Sequence, residues 1–145
     1  MADGADASIT VTNGTLAVGL SDALDGLPVS FAEGTLLGLD MSSADATFAA
    51  KGLALAGTVI SSSASDGVVL SLCGMPANPE DAVGSEYPLL TYPSAQAAAV
   101  AATYSVRNPY PQTGYVVRLF EVPNGDDTVT LKASIRMRGT HLIVR

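Results

Sequence analysis

Thr128-Val-Thr-Leu-Lys-Ala-Ser-Ile-Arg-Met-Arg138 alternates without a break. Val129, Leu131, Ala133, Ile135 and Met137 fall on one side, and Thr128, Thr130, Lys132, Ser134, Arg136 and Arg138 on the other. A period of two over this length predicts a strand with one face in a core and one face presented. The presented face is basic. Just upstream, Tyr115-Val-Val-Arg-Leu-Phe-Glu-Val122 reads as a partner strand, joined through Pro123-Asn-Gly-Asp-Asp127, and it places Arg118 across the hairpin from the basic face.

The same grammar recurs toward the N-terminus. Ser8-Ile-Thr-Val-Thr12 and Thr15-Leu-Ala-Val18 flank Asn13-Gly14, a pair that favours a type I′ turn and so predicts an antiparallel hairpin. Val29-Ser-Phe31 and Thr35-Leu-Leu37 read as short strands broken at Glu33-Gly34. The stretch from Phe48 to Ile60, a polar run ending in Asp66-Gly67, and Val68 to Cys73 read as a second hairpin. Residues 74–93 hold Pro76, Pro79, Pro88 and Pro93, and predict a connecting arm or crossover, because proline removes a ladder donor and extends its predecessor. Its sharper reading is an arm reaching a neighbouring subunit, with Tyr87 and Tyr92 as contact residues. One short helix is expected, Ser94 to Thr103, with Ser94 as N-cap and an alanine-rich body. Tyr104 to Arg107 and His141 to Arg145 complete the strands. Eight or more short strands with Gly, Asp and Asn turns predict one all-β domain over residues 1–145: an antiparallel sandwich, jelly roll or small barrel, with no internal repeat.

An apolar fraction of 48% with only 14% charged residues argues for a packed core rather than disorder. At 145 residues such a chain buries roughly two-thirds of its unfolded surface. The segment Met1-Ala-Asp-Gly-Ala-Asp-Ala7 is acidic and has no apolar run, so no secretory signal is expected, and no stretch has the apolar length of a membrane span. The net charge of −7 is unevenly placed. Up to residue 106 Lys51 is the only cation, whereas Arg107, Arg118, Lys132, Arg136, Arg138 and Arg145 follow it. This asymmetry suits complementarity within the fold, between copies, or with another acidic surface.

Catalytic chemistry finds little purchase. His141 is the only histidine and Cys73 the only cysteine, so an intramolecular disulfide is excluded and a metal site would need clustered carboxylates. Asp22/Asp25, Glu80/Asp81 and Asp126/Asp127 all sit in turns. Asn124-Gly125-Asp126-Asp127 offers oxygen ligands that suit calcium but lacks a full calcium-loop spacing, and turn chemistry explains the same residues. No phosphate-binding glycine loop is present. The basic face lacks interleaved aromatics in an acidic chain, which favours an acidic protein partner over nucleic acid. These readings point to a protein that is not an enzyme and needs no cofactor or metal.

An acidic chain rich in Ala, Gly, Ser and Thr, with many short strands and a proline-rich segment from Met75 to Pro93, resembles the small virion proteins of tailed phages, capsid decoration or cement proteins above all. The resemblance is one of whole-chain style. It implies a homo-oligomer, often a trimer, made in the host cytoplasm and docked on the outside of the capsid where major capsid subunits meet. Arg118, Lys132, Arg136, Arg138, Tyr87 and Tyr92 are the expected protein-interface residues, with neither nucleic acid nor membrane as partner. The alternative is a receptor- or glycan-binding β-domain of a phage tail or other surface assembly.

Overall fold

The structure is a computed structural model that describes residues 8–24, 27–55, 60–63, 67–111 and 114–137. Asn13-Gly14 is where it first departs from expectation. A type I′ turn needs positive φ at both central residues. Gly14 has φ 77°, but Asp127 is the only described non-glycine residue with positive φ, so Asn13 does not fold back. The pair makes a corner instead. Strands β1 (Ile9–Val11) and β2 (Thr15–Val18) lie in different sheets and do not pair with each other.

The same step repeats down the chain. β3 (Val29–Phe31) lies parallel to β1, and β4 (Leu36–Asp40) lies parallel to β2. β6 (Ile60–Ser62) then joins β3, and β7 (Val68–Cys73) joins β4. β9 (Tyr104–Arg107) extends the second wall beyond β7. The third wall begins with β5 (Leu53–Ala54) parallel to β8 (Glu86–Pro93), and the C-terminal hairpin of β10 (Tyr115–Pro123) and β11 (Thr128–Met137) adds to β8 antiparallel. The chain is thus a three-walled coil closed on one wall by a hairpin.

The expected antiparallel all-β sandwich, jelly roll or barrel is therefore corrected. The fold is mixed α/β, with three sheets and mostly parallel strands. Among the described residues, six of the eight strand pairings are parallel. A helix also appears that was not expected. α1 (Ala46–Lys51) starts at Asp45, whose side chain accepts from the Phe48 N–H, and ends at Gly52, whose N–H donates to the Phe48 carbonyl. Gly52 has φ 68°, and a Cβ there would overlap the Leu89 carbonyl, so only glycine lets α1 pass that close to β8. The expected helix forms as a single 3₁₀ turn, Ser94–Gln96, running into α2 (Ala97–Thr103). No side chain caps either, so Ser94 is not the cap it was read as.

Strand register stacks like on like. Ile9, Val29 and Ile60 align across the first wall; Leu16, Leu37, Leu70 and Val106 align across the second, as do Val18, Leu39 and Leu72. Leu53, Leu90 and Leu131 align across the third. These ladders, with Phe48 from α1 and Val100 from α2, meet in one core cluster. At about 1.5–3 kcal/mol for each fully buried aliphatic or aromatic side chain, this shared interior is what holds the walls together.

The proline-rich segment also differs from the arm that was expected. Residues 86–93 are a strand inside the third wall, lying between β11 and β5. Its prolines fit because neither interrupts a needed ladder. Pro88 adjoins the register shift at Leu89, outside the Leu90–Thr91 stretch that pairs with β5, and Pro93 is the last strand residue. Only residues 74–85 remain as connection, pinned by the Tyr110 hydroxyl, which donates to the Pro76 carbonyl at 2.7 Å.

Candidate docking site

The C-terminal hairpin forms as the alternation predicts, in continuous register from Tyr115 opposite Met137 to Pro123 opposite Val129. Its two faces are less cleanly divided than the sequence suggests. Val129, Ala133 and Ile135 are buried, but Met137 at the end of the same row is 47% exposed. On the opposite face Thr130 is only 1% exposed. Its hydroxyl lies 2.9 Å from the Thr91 hydroxyl, which donates to the Lys51 carbonyl at 2.6 Å. Thr130 therefore donates to Thr91 and accepts from the Asn124 amide at 3.0 Å. Buried hydroxyls cost little when every donor is used in this way.

Past Thr130 the same face opens to solvent and becomes basic. Ser134 sits at its centre, with Arg118 directly opposite on β10 and Glu86 directly opposite on β8. Lys132 and Arg136 lie two residues either side on the same strand face. The Lys132 ammonium is 3.3 Å from the Glu86 carboxylate. Glu86 is largely exposed, so this pair is worth on the order of 0–1 kcal/mol, yet it commits Lys132 within the molecule. Arg118 and Arg136 have no hydrogen bond or ion pair with any described residue. As diagonal neighbours they stand roughly 7–8 Å apart at Cα.

Both arginines line a groove of about 900 Å³, together with Phe120 and Met137 from the hairpin and with Glu80, Val83 and Glu86 from the start of β8 and the segment before it. The floor is firm. Ala82, Tyr110, Tyr115 and Ile135 pack as a small second cluster, and Val83 bridges to Ile135. A second groove, about 500 Å³, runs between α2 and the hairpin and is lined by Ala97, Val100, Tyr104, Leu119, Leu131 and Glu121. The Tyr92 hydroxyl donates to Glu121 at 2.8 Å there.

Of the residues expected at an interface, the structure brings Arg118, Lys132 and Arg136 together on one face. Arg138 lies outside the described residues, as does His141. Tyr87 is half-buried at the start of β8, and Tyr92 is 1% exposed, so Tyr92 packs inward and presents nothing to a partner. The sequence reading missed Glu80, Glu86, Phe120 and Ser134. Only the β8–β11 pairing brings Glu86 beside Ser134, and the run Leu89-Leu-Thr-Tyr92 between the prolines was the strand signal for it.

The acidic turn behaves as turn chemistry predicts. Asp126 accepts from both the Thr128 hydroxyl and the Thr128 N–H. These bonds, the hydroxyl's first, hold its carboxyl below the usual range. Among the described residues no three His, Cys, Asp or Glu side chains gather as a metal site, and no helix is long and apolar enough to cross a membrane. Comparison with protein-family models, curated proteins and solved structures gives no match.

Proposed function

We propose that this chain is a structural interaction protein of a tailed-phage virion, a capsid decoration protein that self-associates and bridges major capsid subunits. The observation that carries the reading is the uncommitted pair Arg118 and Arg136 on an exposed sheet face in a chain of net charge −7. A solvated cation pair beside exposed apolar side chains suits a protein surface, because arginine and aromatics dominate interface anchors. The firm wall behind the groove supports the reading as well, since a preorganised surface spends less of its binding energy on ordering. In this role the coil serves as a rigid peg, and the hairpin face is its contact with the shell.

The alternative reading, a receptor- or glycan-binding domain, draws on the second groove, where Tyr104 offers a ring face and the exposed Glu121 a hydrogen-bonding carboxylate to a sugar. Light scattering on the purified protein tests the first reading, with a closed oligomer expected and a monomer at every concentration counting against it. The neighbouring genes separate the two: a major capsid gene belongs with decoration, and tail-fibre genes belong with receptor binding.

A further inference from the structure

We infer that the groove over Ser134 receives an extended, carboxylate-bearing peptide segment of a protein partner, with one acidic side chain gripped by Arg118 and Arg136 together. The inference rests on the docking reading above and names what the groove takes.

Of the three cations around Ser134, Lys132 is satisfied by Glu86, which leaves two guanidiniums facing one groove from adjacent strands. Guanidinium groups bind carboxylates through paired N–H···O bonds, and two at this separation converge on one carboxylate between them. Ser134, half-buried beneath, adds a hydroxyl donor directly below that point.

The glutamates of the same groove decide the class of ligand. Glu80 and Glu86 line the same groove, with Glu80 unpaired among the described residues. A nucleic-acid backbone carries a negative charge at every step, so it cannot satisfy the arginines without meeting the glutamates, and the molecule's net charge of −7 repels it further. A peptide has no such constraint. It places a carboxylate at the arginines and offers backbone N–H or an ammonium group to Glu80. Phe120, Val83 and Met137 accept the apolar neighbours of the acidic residue, and Val83 and Met137 are themselves exposed. The mixed charge of the groove is thus a device for orientation: the ligand is read in one direction only.

The test is fluorescence anisotropy with the full chain and a labelled Gly/Ser/Thr peptide carrying a central pair of glutamates. Controls are its glutamine counterpart and a labelled single-stranded oligonucleotide. Saturable binding of the glutamate peptide is expected. The Glu→Gln peptide should bind about tenfold more weakly or worse, and so should Arg118→Gln or Arg136→Gln protein, a loss the size of one charge-assisted hydrogen bond. Both arginines are exposed, so unchanged thermal melts establish that the variants are folded. Glu80→Gln should weaken peptide binding, because it removes the charged acceptor of the peptide's N–H or ammonium group, and raise oligonucleotide binding, and these opposite changes separate the groove's selectivity from its affinity. No saturable peptide binding, equal binding by the arginine variants, or tighter binding of the oligonucleotide than of the peptide overturns the inference. Light scattering on the same samples keeps the two readings apart. An oligomer that ignores the peptide defeats the groove inference alone, and a peptide-binding monomer defeats the assembly reading alone.

Discussion

Tyr104 shows how a single residue ties packing to solution behaviour. It closes α2 and opens β9, and burial pushes its phenol from the ordinary 10.0 up to about 12. Tyr92 is raised too, first by burial and then by its hydrogen bond to Glu121. A phenol with a folded pKa above its unfolded value holds its proton more tightly in the fold. Its contribution is therefore complete below pH 10 and disappears as the pH rises through about 12. Urea midpoints should fall steadily above pH 10, and Tyr104→Phe, which keeps the ring, should flatten part of that fall. A slope unchanged in the Phe variant would assign the alkaline loss to other groups. At this scale the sequence was informative about type and silent about position. Arg118, Lys132 and Arg136 could be read as one basic face from a period of two. That Lys132 is neutralised by Glu86, 46 residues away, could not, because local alternation carries no information on which strands become neighbours.

At the scale of elements, most strands lie where alternation put them, and what failed was their pairing. Ile9/Val11, Leu16/Val18 and Leu53/Leu55 alternate identically whether a strand turns back on its neighbour or stacks on the next turn of a coil. Asn13-Gly14 tipped the reading to a hairpin, since both residues tolerate positive φ, but only Gly14 uses that freedom. The spacing between turns hid the repeat as well. Ile9 to Val29 and Val29 to Ile60 are aligned steps of unequal length, so no fixed period shows in the chain. α1 leaves no periodic signal in the sequence because Ala46 to Lys51 is one short element defined by its two ends, the Asp45 cap and Gly52, more than by its middle. The ladders make a sharp expectation. Leu39 is fully buried between Val18 and Leu72, so Leu39→Ala should cost about 2–5 kcal/mol in chemical denaturation. Leu119, 41% exposed on the edge strand β10, should cost under about 0.5 kcal/mol when changed the same way. Similar losses at both sites would mean that the core is not where the ladders place it.

For the whole molecule, the three walls form one cooperative body, because every wall contributes to the same apolar cluster. Parallel pairings such as Val29 with Ile60 or Val68 with Tyr104 join residues far apart in the chain. Refolding should therefore be slow for a chain of this length, on the order of milliseconds to seconds and not microseconds, as stopped-flow kinetics would report. The hairpin β10–β11 is the exception, a local unit that can form early and then dock on β8. Its outward face is also where the charge asymmetry of the sequence becomes geometry.

The unequal turns have a practical consequence. Strand register is kept across connections of very different length, so the coil sets no fixed length on the loops between its walls. Glu33 and Gly34, exposed on the link between β3 and β4 with open space around Gly34, mark a place where foreign sequence can be carried without disturbing a ladder. On a protein that coats a larger particle, such a position would turn the fold into a display platform, with the payload repeated at every copy and the docking face left untouched.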